Sequence, residues 1–182
     1  EFSGMIYTQA QRLLTLIDHI IRLSRIEEGK DIMNEFINLE QTVQMVVSEL
    51  KPEAERRQVT IETKTIPCGV KGNATMLREM VFNLLENAVK YNVPGGSVEI
   101  TVQKGVAGTE FIIQDTGIGI PKEHIGRIFE RFYRVDKSRS KQTGGTGLGL
   151  SIVKHIVEKH QAKLDISSEV RKGTTIRVCF PQ

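Results

Sequence analysis

The first apolar pattern in the chain is helical. Ile6, Ala10, Leu13, Ile17, Ile20 and Ser24 follow one another at alternating steps of four and three, and Leu14, Leu16, Ile21 and Leu23 widen the stripe. That is the a/d seam of a long helix over residues 5–28 that packs along a partner, since a single amphipathic helix cannot bury itself. Glu27-Glu28-Gly29-Lys30 ends it, residues 29–35 read as a linker, and a globular domain is expected over 36–182. Within that domain Leu39, Val43, Val46, Val47, Leu50 and Ala54 predict a helix over 39–57, opened by Asn38 with Gln41 three residues on, a capping box. Alternation from Val59 to Ile66 predicts a strand, and Leu77, Met80, Val81, Leu84, Leu85 and Ala88 form the core face of a helix over 73–91. Strands over 97–103 and 109–115 follow, then an irregular basic segment to about Thr146, a helix over 147–160, and strands over 163–170 and 174–180. Helices and strands interleave without regular βαβ alternation. The expected class is therefore α/β in the broad sense, an α+β two-layer sandwich with helices on one face of a mixed sheet.

Composition adds limits. With 182 residues, 39% hydrophobic and 26% charged, the chain has ordinary globular content and length for one core, which excludes disordered and repeat architectures. No run approaches the roughly 18 apolar residues of a membrane span. The start, Glu1-Phe2-Ser3-Gly4, has no leader pattern and is expected to be a processed or cut end, so any membrane attachment would come through segments upstream. A net charge of +3 is too small for counterion-driven binding, and no nucleic-acid partner is expected. Charge is nevertheless concentrated locally. Arg127, Arg131, Arg134, Lys137, Arg139 and Lys141 stand against Glu130 and Asp136, a local +4 that suits either a solvated face or a compact polyanion. Cys68 and Cys179 have no metal-ligand spacing and are expected to be free thiols.

Three stretches carry candidate chemistry. Glu79, Asn83, Glu86, Asn87 and Lys90 line one stripe of the second predicted helix of the domain, on the face read as opposite its core. Two asparagines at i, i+4 are poor choices for a merely solvated helix. Their amide oxygens suit the oxygen shell of Mg²⁺, and Lys90 offers a point charge to the same phosphates; the bland alternative is an amide pair bonding a loop. Asp115-Thr116-Gly117-Ile118-Gly119 follows an apolar strand, where a carboxylate can accept from an exocyclic amine and glycines let a flat ring approach, although taken alone it is a turn. Gly144-Gly145-Thr146-Gly147-Leu148-Gly149 leads into a helix, exposing N–H groups and a helix dipole to phosphate. It is neither a Walker loop nor a dinucleotide fingerprint.

In chain order these are Asn83-Leu-Leu-Glu-Asn87-Ala-Val-Lys90-Tyr91-Asn92, Asp115-Thr-Gly117-Ile-Gly119, Phe129-Glu-Arg-Phe132-Tyr133-Arg134, Gly145-Thr-Gly147-Leu148-Gly149 and Gly173-Thr174-Thr175. The set closely resembles the N, G1, F and G2 boxes and final Gly-Thr of the ATP-binding domain of bacterial sensor histidine kinases, over about Phe36 to Pro181. Residues 5–28, ending Leu23-Ser24-Arg25-Ile26-Glu27, resemble the second helix of that family's dimerisation and phosphotransfer hairpin. The resemblance implies ATP and Mg²⁺ as ligands, with Asn87 on the metal, Asn83 supporting the phosphate side, Lys90 on phosphate, Tyr91 against adenine and Asp115 on the adenine amine. Gly117 and Gly119 would shape the base pocket. Gly145, Gly147 and Gly149, with Leu148 between, would cradle phosphates, and Thr174 would lie beside the base. Tyr133 would belong to the nucleotide site, and Arg134 with its basic neighbours to what the family uses as a lid, expected over Arg134 to Gly145 to be mobile without nucleotide. It also implies a homodimer through the hairpin, a response regulator receiver domain as partner, and a cytoplasmic domain of a membrane-anchored parent.

Departures qualify this. Asn73 stands where Asp is common, which affects only helix capping, and Gln161-Ala162 replaces a usual Gly-Gly. The hairpin helix with the phosphoacceptor histidine is absent. His19 lacks the expected acidic neighbour after it, His124 follows the G1 turn, and His155 and His160 are five apart, so none replaces it. The expectation is a kinase domain that binds ATP but does not autophosphorylate alone. Alternatives are a serine kinase of the anti-sigma type and a nucleotide-binding interaction module without transfer.

Overall fold

The structure is a computed structural model describing residues 35–135 and 146–182, with Ala10, Leu14, Ile17, Ile21 and Ser24. Those five are helical and exposed at the four-and-three spacing of the expected first helix; the rest of it, the linker through Asn34, and Gly145 with most of the expected lid lie outside the described residues.

β1 (Glu35–Asn38) leads into α1 (Leu39–Arg56), whose start is set by Asn38: its side-chain oxygen accepts from Gln41 N–H at 3.3 Å. The apolar face expected of this helix, Leu39, Val43, Val46, Leu50 and Ala54, is buried. After β2 (Thr60–Thr65) and β3 (Gly69–Gly72) comes α2 (Ala74–Lys90), and Asn73 caps it by accepting from Met76 N–H at 2.9 Å. Asparagine therefore does here what aspartate would.

β4 (Ser97–Lys104) and β5 (Gly108–Asp115) form an antiparallel pair, followed by the single turn α3 (Lys122–Ile125), α4 (Gly149–Lys159), β6 (Lys163–Glu169) and β7 (Gly173–Pro181). The main sheet runs β2-β4-β5-β7-β6, with β2 and β4 parallel and the other neighbours antiparallel. Alternate residues of the central strands, Val98, Ile100 and Val102, then Phe111 and Ile113, then Ile176, Val178 and Phe180, are buried in one cluster with α1, α2 and α4. The mixed sheet with helices on one face is as expected. β1 and β3 pair as a separate two-stranded ladder that the sequence pattern does not predict, nor does it predict α3.

α2 and α4 pack antiparallel. Gly149 at the start of α4 lies against Asn83 in mid-α2, and His160 at its end reaches the start of α2. His160 is buried. Its Nε2 accepts from Asn73 N–H at 3.2 Å, so its Nδ1 carries the hydrogen and donates to the Ile156 carbonyl at 2.7 Å. A Cβ on Gly72 would collide with this ring. Cys68 and Cys179 are free thiols, and no helix among the described residues is long and apolar enough to cross a membrane.

Candidate nucleotide site

A cleft of about 580 Å³ opens between the second half of α2, the turn after β5, the segment ending at Val135 and the start of α4. Asn83, Asn87, Lys90 and Tyr91 line it from α2, and Asp115, Gly119 and Thr174 from the sheet side. Tyr133, Arg134, Gly147 and Gly149 complete it, so residues far apart in the chain converge on one cleft.

The α2 stripe is not the solvent face that the sequence suggests. Glu79 and Asn83 are buried, because α4 packs across this part of α2. Asn83 Nδ2 donates to the Glu79 carbonyl at 2.8 Å and to its carboxylate at 3.4 Å. That leaves the Asn83 amide oxygen towards α4, where a Cβ on Gly149 would come within 2.7 Å of it. Asn87 and Lys90, one and two turns on, are half-buried. Burial lowers the pKa of Lys90 below the usual lysine range, Glu86 opposes this, and Arg134 and Arg57 add to it. Lys90 is thus a half-buried ammonium whose charge Glu86 favours and Arg134 and Arg57 oppose.

Asp115 ends β5 with its Oδ1 accepting from Gly117 N–H at 2.8 Å and Thr174 N–H at 3.3 Å. Burial pushes its carboxyl up, and these two amide bonds oppose the shift. Among the described residues nothing bonds its second oxygen. Ile118 N–H donates to the Tyr91 carbonyl at 3.1 Å, and Gly117 is packed so closely there that a Cβ would sit 2.5 Å from the same oxygen. Gly117 thus shapes the cleft from beneath rather than lining it. Gly119 has φ +68° and abuts the Glu169 carbonyl, a conformation and a gap that only glycine fits.

At the far wall Gly147 (φ +75°) accepts from Phe132 N–H at 2.9 Å, tying the phenylalanine segment to the glycine-rich one. Leu148 does not line the cleft. Its side chain is wholly buried in the core, because the helix that follows needs an apolar anchor there. It also gives α4 no side-chain cap, and Gly149 and Leu150 of the first turn line the cleft, so the helix start beside it is one that attracts an anion.

Several features escape the sequence reading. Ile113, Ile118, Ile120, Ile128 and Ile176 give the cleft an apolar floor, for which no motif exists. The Tyr133 hydroxyl lies 2.6 Å from His124 Nδ1, with Arg127 4.3 Å over its ring. Asn92, Thr116 and Ser97 form a strap from the end of α2 to the Asp115 turn: Asn92 Nδ2 donates to the Ser97 carbonyl at 3.0 Å, and Ser97 N–H to Thr116 Oγ1 at 2.8 Å. As for a metal, no group of three or more His, Cys, Asp or Glu that could cage one occurs among the described residues. Neutral amide oxygens beside an anion site fit a hard cation that arrives with phosphate and keeps several of its waters.

Residues 72–182 match the family model of the histidine kinase-, DNA gyrase B- and HSP90-like ATPases. The chain belongs to this ATPase family. Among curated relatives, the sensor-like histidine kinase SenX3 of Mycolicibacterium smegmatis is 35% identical over 185 residues, covering 100% of this chain and 48% of SenX3. The phosphate regulon sensor protein PhoR of Pseudomonas aeruginosa is 37% identical over 177 residues, 94% of this chain and 39% of PhoR. The chain thus spans about half the length, or less, of these relatives. A mycobacterial sensor histidine kinase structure, MprB, superposes with a TM-score of 0.72 at 29% identity, covering 81% of this chain and 97% of that one. Within the ATPase family the chain is similar to sensor histidine kinases, and to the catalytic domains of that kind among solved structures.

Proposed function

We propose that the cleft binds Mg-ATP and that the chain delivers the γ-phosphoryl group to a histidine of a hairpin carried by the parent protein, for relay to a response regulator. The observation that carries this is the convergence, in one cleft, of a half-buried carboxylate, an asparagine stripe and an uncapped helix start. Asp115 accepts from the adenine amine with its second oxygen, Tyr91 packs on the base, and Gly119 lets the ring approach. Asn87 offers its amide oxygen to Mg²⁺, which when bound would neutralise phosphate charge, and Asn83 supports the phosphate side. Lys90, Arg134 and the N–H groups after Gly147 hold the phosphates. Phosphoryl transfer asks for positioning and charge neutralisation rather than covalent work, and these groups supply both.

The three described histidines, all but His19, are poor candidates for the acceptor. His160 has both nitrogens bonded, His124 is bonded to Tyr133, and His155 Nε2 is buried. The apolar seam of residues 5–28 would pair with a hairpin helix of the parent protein and with a second copy, and any membrane anchorage would belong to the parent. Incubating the 182-residue chain with γ-labelled ATP, with and without a separate hairpin fragment bearing a histidine, tests this. Acid-labile label should appear on the fragment only, and Asn87→Ala should abolish it together with Mg²⁺-dependent ATP binding. Label on this chain alone would overturn the transfer scheme, and an acid-stable label would point to serine.

A further inference from the structure

Ser168 lies on β6, behind the cleft wall, and none of the roles above involves it. Its half-buried hydroxyl makes three contacts. It accepts from Ile120 N–H at 2.8 Å, donates to the Gly173 carbonyl at 3.0 Å and lies 2.9 Å from the Thr174 hydroxyl. A serine hydroxyl has one hydrogen and two acceptor positions. A carbonyl can only accept, so the Ser168 hydrogen is committed to Gly173. One Ser168 lone pair takes Ile120 N–H, and in the remaining contact Thr174 must be the donor. The Thr174 hydrogen therefore points at Ser168, and only lone pairs are left for the cleft that Thr174 lines. Thr174 N–H also donates to Asp115 Oδ1 at 3.3 Å, which sets the two residues side by side.

We propose that Ser168 is a positioning residue that sets the base specificity of the cleft, by holding Thr174 as a hydrogen-bond acceptor beside the Asp115 carboxylate. The proposal rests on the cleft being an adenine-nucleotide site. Two adjacent acceptors suit a purine whose 6-substituent is an amine, directly or through a water that it orders. A 6-oxo purine presents a third acceptor to them. Thr174 cannot relieve that by turning its hydrogen into the cleft, because Ser168 holds it. Without the Ser168 hydroxyl Thr174 is free to rotate and donate, and the same loss releases Ile120 N–H in the turn that follows Asp115. A serine on an alternating strand gives no sequence signal for such a role, which appears only once the hydrogens are counted.

The test uses the 182-residue chain and two nucleotides, ATP and inosine triphosphate, which carries a 6-oxo group in place of the amine. Calorimetric titration should show a strong preference for ATP in the parent. Ser168→Ala should narrow the ratio of affinities by about fivefold, the worth of one ordinary hydrogen bond. Ser168→Cys, with a weak donor and acceptor, should narrow it in the same direction, and Ser168→Thr should restore the parent ratio. In a Thr174→Val background Ser168→Ala should change nothing further, since no hydroxyl remains to be oriented; loss of packing alone would not be cancelled in this way. A ratio unaltered by Ser168→Ala and Ser168→Cys, while Asp115→Asn does alter it, overturns the proposal and leaves the adenine site standing. No preference in the parent, or one that Asp115→Asn leaves intact, overturns the adenine assignment itself, and this proposal with it.

Discussion

Asp115 shows how a binding group costs stability until its ligand arrives. Its carboxyl titrates higher in the folded chain than in the unfolded one because burial outweighs the amides of Gly117 and Thr174. A raised folded pKa contributes stability that is complete below the unfolded value, about 3.9, and is lost as pH rises through the folded value. At pH 7 the ionised group therefore opposes folding. Asp115→Asn keeps an oxygen that can accept from both amides and removes the charge. The nucleotide-free variant should melt above the parent at pH 7, with the difference shrinking towards pH 4. ATP affinity should fall by about 1.5–3 kcal/mol, the range for a lost hydrogen bond to a charged group. Thermal melts across pH and a calorimetric titration read both, and a variant that melts below the parent at pH 7 would contradict the account. The asparagine stripe was legible for a related reason, since Asn83 and Asn87 go against helix propensity. That α4 buries Asn83 was not legible, because the covering element lies more than sixty residues away.

Among the elements, legibility followed length and period. α1, α2, α4 and the five strands of the main sheet were foreseen to within about two residues, with Asn38 and Asn73 as caps, because each repeats its pattern more than once. β1, β3 and α3 have four residues each, too few for a period to show. The helix ends carry a further lesson. After α4, Gln161 N–H donates to the Glu158 carbonyl and Ala162 N–H to that of Val157, each at 3.0 Å, which is a complete Schellman motif. α1 ends the same way through Gln58 and Val59. In both the left-handed position is held by glutamine, Gln58 at φ +57° and Gln161 at φ +52°, where glycine carries no penalty. Gln161, where the resemblance implies glycine, thus holds a strained turn and not a new ending. Gln161→Gly should raise stability by about 1 kcal/mol, and Gln58→Gly by a similar amount, the two adding because they sit at different helix ends. Urea midpoints of the single and double variants measure this, and a destabilised Gln161→Gly chain would mean the glutamine side chain contributes more than the turn costs.

At the scale of the whole molecule, the cleft begins where the start of α4 meets mid-α2, and the other end of α4 is fastened to the start of α2. Asn83 and Gly149 meet at the cleft, while His160 joins the start of α2 to the end of α4 through Asn73 and packs edge-on against Phe180, with ring centroids 6.1 Å apart. His160 must be neutral to do this, because its Nε2 is an acceptor. Burial lowers its pKa, partly opposed by the bond to the Ile156 carbonyl. A lowered folded pKa gives stability that is present above the unfolded value, about 6.5, and lost as pH falls through the folded value, since the unfolded chain then takes up the proton more readily. His160→Gln removes that titration and leaves Asn73 N–H with a poorer acceptor. The variant should be less stable at pH 7 by about 1–3 kcal/mol, the cost of an unsatisfied buried donor, and its urea midpoint should vary less than the parent's between pH 7 and pH 5. Because the fastening and the cleft sit at opposite ends of α4, ATP affinity at pH 7 should stay at the parent value. Parallel pH profiles for the two chains would deny His160 its part in acid sensitivity, and affinity falling in step with stability would mean that the fastened end also sets the spacing of Asn83 and Gly149.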